Sequence, residues 1–171
     1  MSEASSIWLV PDGESRAYRA LDELIGDHAR SYPDAPDFEP HITLLGGIEA
    51  DEGRVVERTR NLARDCDPFE LDFSDVSCST TTHQCVFLLV TPSAELLRLR
   101  RAASESFGRD ERMYVPHVSL VYSGMDIADR VRMVNSINTD SIPDGVRIDT
   151  VEIVDTGGPV SEWRTVSTHP L

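Results

Sequence analysis

The 171-residue chain carries 30 acidic against 16 basic residues, a formal net charge of −14, with 40% hydrophobic and 6% aromatic residues. That length suits one domain with a sizeable core, or two small lobes sharing one, and no apolar run approaches the roughly 18 residues of a membrane span. Dispersed negative charge disfavours large polyanions such as duplex DNA or structured RNA, whose binding rests on Lys and Arg contacts to phosphate, but it admits a small nucleotide held in a cleft and also suits a high-salt cytoplasm.

In chain order, residues 6–10 predict a first strand. Asp12 then offers an N-cap for a helix whose positions Tyr18, Leu21, Ile25, His28 and Ala29 keep helical spacing. Pro33 and Pro36 end that region before a strand over 41–45, which Gly46 and Gly47 terminate. A helix over 51–65 places Val55, Val56, Thr59, Leu62, Ala63 and Cys66 on one face, and strands follow near 69–77 and 84–90. Pro92 suits the first turn of a third helix with an apolar stripe of Leu96, Leu99, Ala103 and Phe107. A polar loop over 108–113 leads to a strand over 115–122, and Asp126 caps a fourth helix bearing Ile127, Val131 and Val134. Strands over 146–155 and 163–167 are joined by a Gly157-Gly158-Pro159 turn. No connection is long enough to separate domains, so the expected class is α+β, with antiparallel-rich sheets and helices packed outside.

Two segments say the same thing: Pro40-His41-Ile42-Thr43-Leu44 and Pro116-His117-Val118-Ser119-Leu120. On a strand, successive side chains alternate faces, so His41 and Thr43 point one way while Ile42 and Leu44 point into a core; His117, Ser119, Val118 and Leu120 repeat the pattern. The surroundings repeat as well. Ile7-Trp8-Leu9-Val10-Pro11 opens one unit and Phe87-Leu88-Leu89-Val90-Thr91-Pro92 the other, each followed by a helix and then a histidine motif at a nearly constant offset. The pattern reads as an internal duplication within one domain over 1–171. Lobe one covers about 1–80 and lobe two about 81–171, with strand exchange between them admitted.

A single histidine on a strand is more often a satisfied half-buried residue, since short patterns recur freely. Two copies in matching register reverse that weighting. If a pseudo-twofold axis relates the lobes, His41 and His117 face one central groove with the hydroxyls beside them. Two imidazoles of near-neutral pKa, one neutral and one protonated, suit base and acid roles in one displacement, and Thr43 and Ser119 suit the nonbridging oxygens of a phosphate as charge builds there. The chemistry that fits is hydrolysis of a phosphodiester by water, with no metal and no cofactor. Cys66, Cys78 and Cys85 form no CxxC pair and no metal-type spacing with the histidines, and reduced thiols are expected. Residues 1–6 lack the basic and apolar regions of a secretion signal, so a cytoplasmic location is expected. The sequence leaves the oligomeric state open.

His41-x-Thr43-Leu44 and His117-x-Ser119-Leu120 resemble the paired HxTΦ and HxSΦ signatures of the two-histidine (2H) phosphoesterase superfamily. The segments over 6–11, 84–89 and 114–122 look closest to its plant and yeast cyclic phosphodiesterases, and the likeness runs from Ser6 to about Val166. The resemblance implies metal-independent hydrolysis of ADP-ribose 1'',2''-cyclic phosphate to ADP-ribose 1''-phosphate and of nucleoside 2',3'-cyclic phosphates to 2'-phosphates. It also implies a bilobal fold with the site in the groove between lobes. His41 and His117 then become the acid and the base, in an order left open, Thr43 and Ser119 the phosphate ligands, and Tyr122 and Trp8 the neighbours of the nucleotide; Thr80 and His83 are further substrate-binding candidates, His83 reading also as a surface-loop residue. The chain departs from the plant pattern at Thr81-Thr82-His83, where the plant enzyme has an aromatic run, and at Cys66, whose plant counterpart sits in a disulfide for which the C-terminal region here offers no partner.

Trp163 reads equally as a groove or a packing residue. Arg109 and Arg112, in the loop before the second motif, read either as solvated loop charges or as groups that gate the cleft or approach a pyrophosphate; His28 reads as a helix residue and His169 as tail. Two competing readings keep the pocket: an RNA 2',3'-cyclic phosphodiesterase of the 2'-5' RNA ligase-like branch, which would want a more basic surface, and a catalytically idle nucleotide-binding protein.

Overall fold

Apolar residues at every second position of the two histidine segments commit one face of each to a core, and the sheet is assembled around those faces. The computed structural model of the chain describes residues 4–110 and 113–171. Among them lie, in order, β1 (Ser5–Pro11), α1 (Arg16–Ser31), β2 (Ile42–Ile48), α2 (Glu52–Arg64), β3 (Phe69–Cys78), β4 (Val86–Val90), α3 (Ala94–Ser106), β5 (His117–Val121), α4 (Ile127–Ser136), β6 (Gly145–Asp155) and β7 (Arg164–Pro170). The seven strands form one antiparallel sheet in the order β1-β2-β5-β4-β3-β6-β7. β6 also pairs with β1, so the circuit of pairings closes and β7 sits on its flank. The architecture is the α+β, antiparallel-rich one that the sequence implies.

Both halves of the chain contribute to each neighbourhood. β3 pairs with β4 and β6, whereas β6 reaches back to β1 over its whole length. The helices cross over in the same manner: α1, which follows β1, packs on β5, and α3, which follows β4, packs on β2. The inner faces that meet are fully buried, with Ile7, Leu9, Ile42, Leu44, Val118 and Leu120 all at most 1% exposed. At roughly 1.5–3 kcal/mol for each buried aliphatic side chain, this layer supplies much of the drive for folding.

Local chemistry shifts several boundaries from their expected places. Ser15, not Asp12, caps α1: its hydroxyl accepts the Tyr18 N–H at 3.0 Å, while the Asp12 carboxylate accepts the Glu14 N–H at 2.9 Å in the turn before it. Ser93 caps α3, which leaves Pro92 one residue outside the helix and not in its first turn. Asp51 and Asp126 cap α2 and α4. β2 does not stop at Gly46 and Gly47 but runs through them to pair Ile48 with Ser5, because Gly47 takes φ +63° at a place where the β1 register slips. β5 starts only at His117, since Pro116 has no N–H to give a ladder. His169 is not tail: it is a β7 residue opposite Val151, 8% exposed, with its Nε2 3.1 Å from the Ser167 hydroxyl. All three cysteines are free thiols. Among the described residues no helix is long and apolar enough to cross a membrane.

Gly145 begins β6 opposite Asp72, and a methyl group added there would press on the Leu71 carbonyl oxygen. Backbone cannot swing aside as a flexible side chain can. Gly145→Ala is therefore expected to lower the stability by about 1–3 kcal/mol, read as a reduced urea midpoint, and an unchanged midpoint would show that the β3–β6 seam is loose.

Candidate active site

The two histidine strands touch through one antiparallel pair, Ile42 opposite Val118. That register sets His41 across from Ser119 and Thr43 across from His117, all on the face away from the core. Each imidazole thus stands beside the hydroxyl of the other motif. A cavity of about 420 Å³ opens on this face, and His41, Thr43, His117 and Ser119 all line it together with Trp8, His83, Gln84, Tyr122 and Trp163. A larger groove of about 560 Å³ between α2 and α3 contains neither histidine.

Both rings are held in one way. His41 Nδ1 donates to the Glu39 carbonyl at 2.7 Å, and His117 Nδ1 to the Val115 carbonyl at 2.8 Å. A carbonyl oxygen only accepts, so the proton of each neutral ring sits on Nδ1 and the Nε2 lone pair is left for the cavity. In both motifs the acceptor lies two residues upstream, across a proline that fixes the turn of the chain.

Burial drives both histidines toward the neutral form. His41 is 4% exposed and falls from 6.5 to about 4, chiefly through desolvation, opposed by the bond to Glu39 and assisted by the proximity of His117. His117 is half-buried, and desolvation likewise lowers it against the raising effect of the Val115 carbonyl. Burial pushes the Tyr122 hydroxyl up to about 12, so it stays a donor, 3.4 Å from His41 Nε2. Ser119 donates to the His83 carbonyl at 3.1 Å.

An aromatic wall surrounds His41. Trp8 lies flat on the imidazole, with ring centroids 3.5 Å apart and planes 9° from parallel, so this face of the indole holds the histidine and is closed to a base. Phe38 stacks on Tyr122 at 4.0 Å. His83 and Trp163 stand 5.8 Å apart at the more open rim, and His83 meets the Tyr122 edge at 5.2 Å. Thr80 is exposed and does not line the cavity. Arg109 also lies outside its lining and donates to the Gly47 carbonyl at 2.7 Å. Arg112 falls outside the described residues. His28 bonds the Leu24 carbonyl within α1, remote from this chemistry.

Three features escape a sequence reading. Gln84 brings its amide nitrogen 3.3 Å from His117 Nε2, though the sequence marks it only as the first residue of the segment 84–89 and gives it no role, and β4 itself starts at Val86. Phe38 reaches the site from an irregular segment with no period to betray its direction. Arg130 on α4 is 4% exposed, and its guanidinium donates to the carbonyls of Ser79 and Thr81 at 2.7 Å, Met125 at 3.0 Å and Ser123 at 3.2 Å. A buried cation satisfied by four carbonyls ties the loop leading to His83 onto the loop leaving Tyr122.

Comparison with known proteins identifies a family and a shared fold. The family model described as cyclic phosphodiesterase-like protein matches residues 1–171. The 2',3'-cyclic-nucleotide 3'-phosphodiesterase of Yarrowia lipolytica is 28% identical over 211 aligned residues, covering 95% of this chain and 97% of that protein. The cyclic phosphodiesterase of Arabidopsis thaliana is 28% identical, covering 95% and 92%. Among solved structures, E. coli LigT complexed with 3'-AMP superposes with a TM-score of 0.64 at 13% identity, over 99% of this chain and 98% of that one, a likeness of fold.

The histidine environment has a consequence for folding. His41 titrates near 4 when folded and near 6.5 when unfolded, so between those values the unfolded chain binds the extra proton. Stability is then full above about 6.5 and declines as pH falls toward 4, by on the order of 3 kcal/mol from this residue. His117 and His169, also lowered by burial, act in the same direction. Urea midpoints measured across that window should fall less steeply for His41→Gln than for the native chain, and parallel slopes would contradict the assignment.

Proposed function

This chain belongs to the cyclic phosphodiesterase-like family of phosphoesterases, and we propose that it opens small cyclic phosphates by paired histidine acid and base catalysis without a metal. The observation that carries the reading is that two Nε2 atoms, each with its Nδ1 proton tied to a carbonyl, face one cavity. Its substrates are nucleoside 2',3'-cyclic phosphates, opened to 2'-phosphates, and ADP-ribose 1'',2''-cyclic phosphate, opened to ADP-ribose 1''-phosphate. The name of the Yarrowia lipolytica relative supports the first class, and that of the Arabidopsis thaliana relative supports cyclic phosphate hydrolysis in general.

In this mechanism water attacks phosphorus, passing a proton to one Nε2 as the new P–O bond forms. The ring P–O bond breaks opposite it, and the leaving oxygen takes a proton from the other Nε2. His41, the deeper ring with the more strongly lowered pKa, is the base; His117, closer to solvent, is the acid. Tyr122 lies beside His41 Nε2, where it orients the water. Thr43 and Ser119 bind the nonbridging oxygens, Ser119 exchanging its bond to the His83 carbonyl for one to phosphate. The nucleobase of a 2',3'-cyclic mononucleotide lies against Trp163 and His83 at the rim, because the face of Trp8 is spent on His41.

Purified protein is expected to hydrolyse 2',3'-cyclic AMP in the presence of EDTA, with the 2'-phosphate as product by phosphorus NMR. His41→Ala or His117→Ala should each lower kcat about a hundredfold or more. One histidine must carry a proton in the free enzyme and both are lowered, so the alkaline limb of kcat/KM should lie below the ordinary histidine value of 6.5. The alkaline limb of kcat should lie higher, since a bound phosphate anion favours imidazolium. Strict metal dependence, or turnover surviving the double substitution, contradicts the mechanism.

A further inference from the structure

All sixteen basic residues of this acidic chain are arginines, and four of them gather where β2 ends. Arg100 and Arg109 line a recess of about 230 Å³ beside Gly46, and Arg54, Arg58 and Arg109 line an adjoining one of about 410 Å³ beside Gly47. Arg109 is common to both recesses, and Gly47 is common to the second recess and the two-histidine cavity. The cationic surface therefore adjoins the candidate active site at Gly47.

Five guanidinium groups elsewhere in the molecule are neutralised by an ion pair. Arg30, Arg101, Arg132, Arg147 and Arg164 are each paired with a carboxylate. Among the described residues Arg54, Arg58, Arg100 and Arg109 make no ion pair, although Glu49 and Asp110 line the same recesses. Three of the four are instead held by neutral groups. Arg100 donates to the Leu44 carbonyl at 2.6 Å and sits 4.9 Å over the Tyr114 ring; Arg109 donates to the Gly47 carbonyl; Arg58 donates to the Ser106 carbonyl and sits 5.6 Å over the Phe107 ring. A guanidinium has five N–H donors, so each retains several after these bonds. Arg100 Nε is buried with no hydrogen-bond partner. Oriented arginines that make no ion pair and retain free donors suit a phosphate oxyanion, which they grip in bidentate fashion.

We propose that this arginine recess is a second anion subsite, which holds the distal diphosphate of a small cyclic phosphate while its cyclic end lies between the histidines. The inference rests on the functional reading above and extends it from the reacting phosphate to the rest of the substrate. It selects diphosphate-bearing cyclic phosphates over cyclic mononucleotides, which end before the recess. A small anion suits it better than a polynucleotide, because the positive patch is local and the surrounding chain carries net charge −14.

The test compares the native chain with Arg54→Gln/Arg109→Gln, neither residue lying in the lining of the two-histidine cavity. With ADP-ribose 1'',2''-cyclic phosphate the double variant should show KM raised about tenfold or more, as expected for loss of charge-assisted bonds, while KM for 2',3'-cyclic AMP stays within about twofold. Calorimetric titration with inorganic pyrophosphate should show the same weakening, and it does not depend on turnover. Equal changes for both substrates, no change for either, or a response confined to RNA ending in a cyclic phosphate would overturn the subsite. If the native chain hydrolyses neither substrate, the functional reading fails and the titration decides alone. Pyrophosphate binding lost in the variant then upholds the subsite; binding that is undetectable in the native chain or equal in both overturns it.

Discussion

The contact of Ile42 with Val118 is the constraint on which the site depends. It is one backbone pair between two strands that come from different halves of the chain, and it decides which side chains share a face. With these residues opposite each other and both buried, the flanking positions turn the histidines and hydroxyls to the same side. A slip of one residue in either strand would send an imidazole into the core and an isoleucine or valine into the cavity. Leu44 and Leu120, buried two residues further on, hold the register against that slip, so the chemistry of the odd positions is guaranteed by the hydrophobicity of the even ones.

Within that frame each histidine is subject to opposed forces. Removal from water favours the neutral ring, and the upstream carbonyl favours the charged one; desolvation prevails in both. The same carbonyl fixes the tautomer, which burial alone would not do. For His41 the flat contact with Trp8 adds a second restraint, since a ring bonded at Nδ1 and covered on a face has little freedom left. A general base loses rate when it must first be oriented, and for the base proposed for this site the orientation is built during folding.

Much of this was legible in the sequence because it obeys short periods. The two motifs, their shared face and the antiparallel α+β class all follow from alternation over a few residues, and the helices from apolar stripes such as Leu96, Leu99 and Ala103. Boundaries failed where a side chain competed for backbone groups: Asp12 looked like a cap but closes the preceding turn, and Gly46-Gly47 looked like a stop but makes a bulge in a continuing strand. Contacts between distant segments left no local trace. Nothing about Phe38, Gln84 or Arg130 in the linear chain reveals that they meet Tyr122, His117 and the loop before His83. His169 looked like tail because a terminal strand is defined by its partner, Val151, rather than by its own pattern.

The cavity itself raises a question of charge. Its lining holds histidines, hydroxyls, an amide and aromatic rings, with neither Arg nor Lys among the described residues. A phosphodiester anion entering it from water meets no fixed positive charge to offset its lost hydration, so the compensation has to come from protons. An anion beside a neutral imidazole raises that imidazole's pKa, and by linkage a ring that takes up a proton binds the anion more tightly. Under the proposed mechanism, the histidine that acts as acid is thereby charged mainly when substrate is present. In a chain of net charge −14, a site that gains its cation along with its ligand would tie the protonation state required by the proposed bond cleavage to the binding event itself.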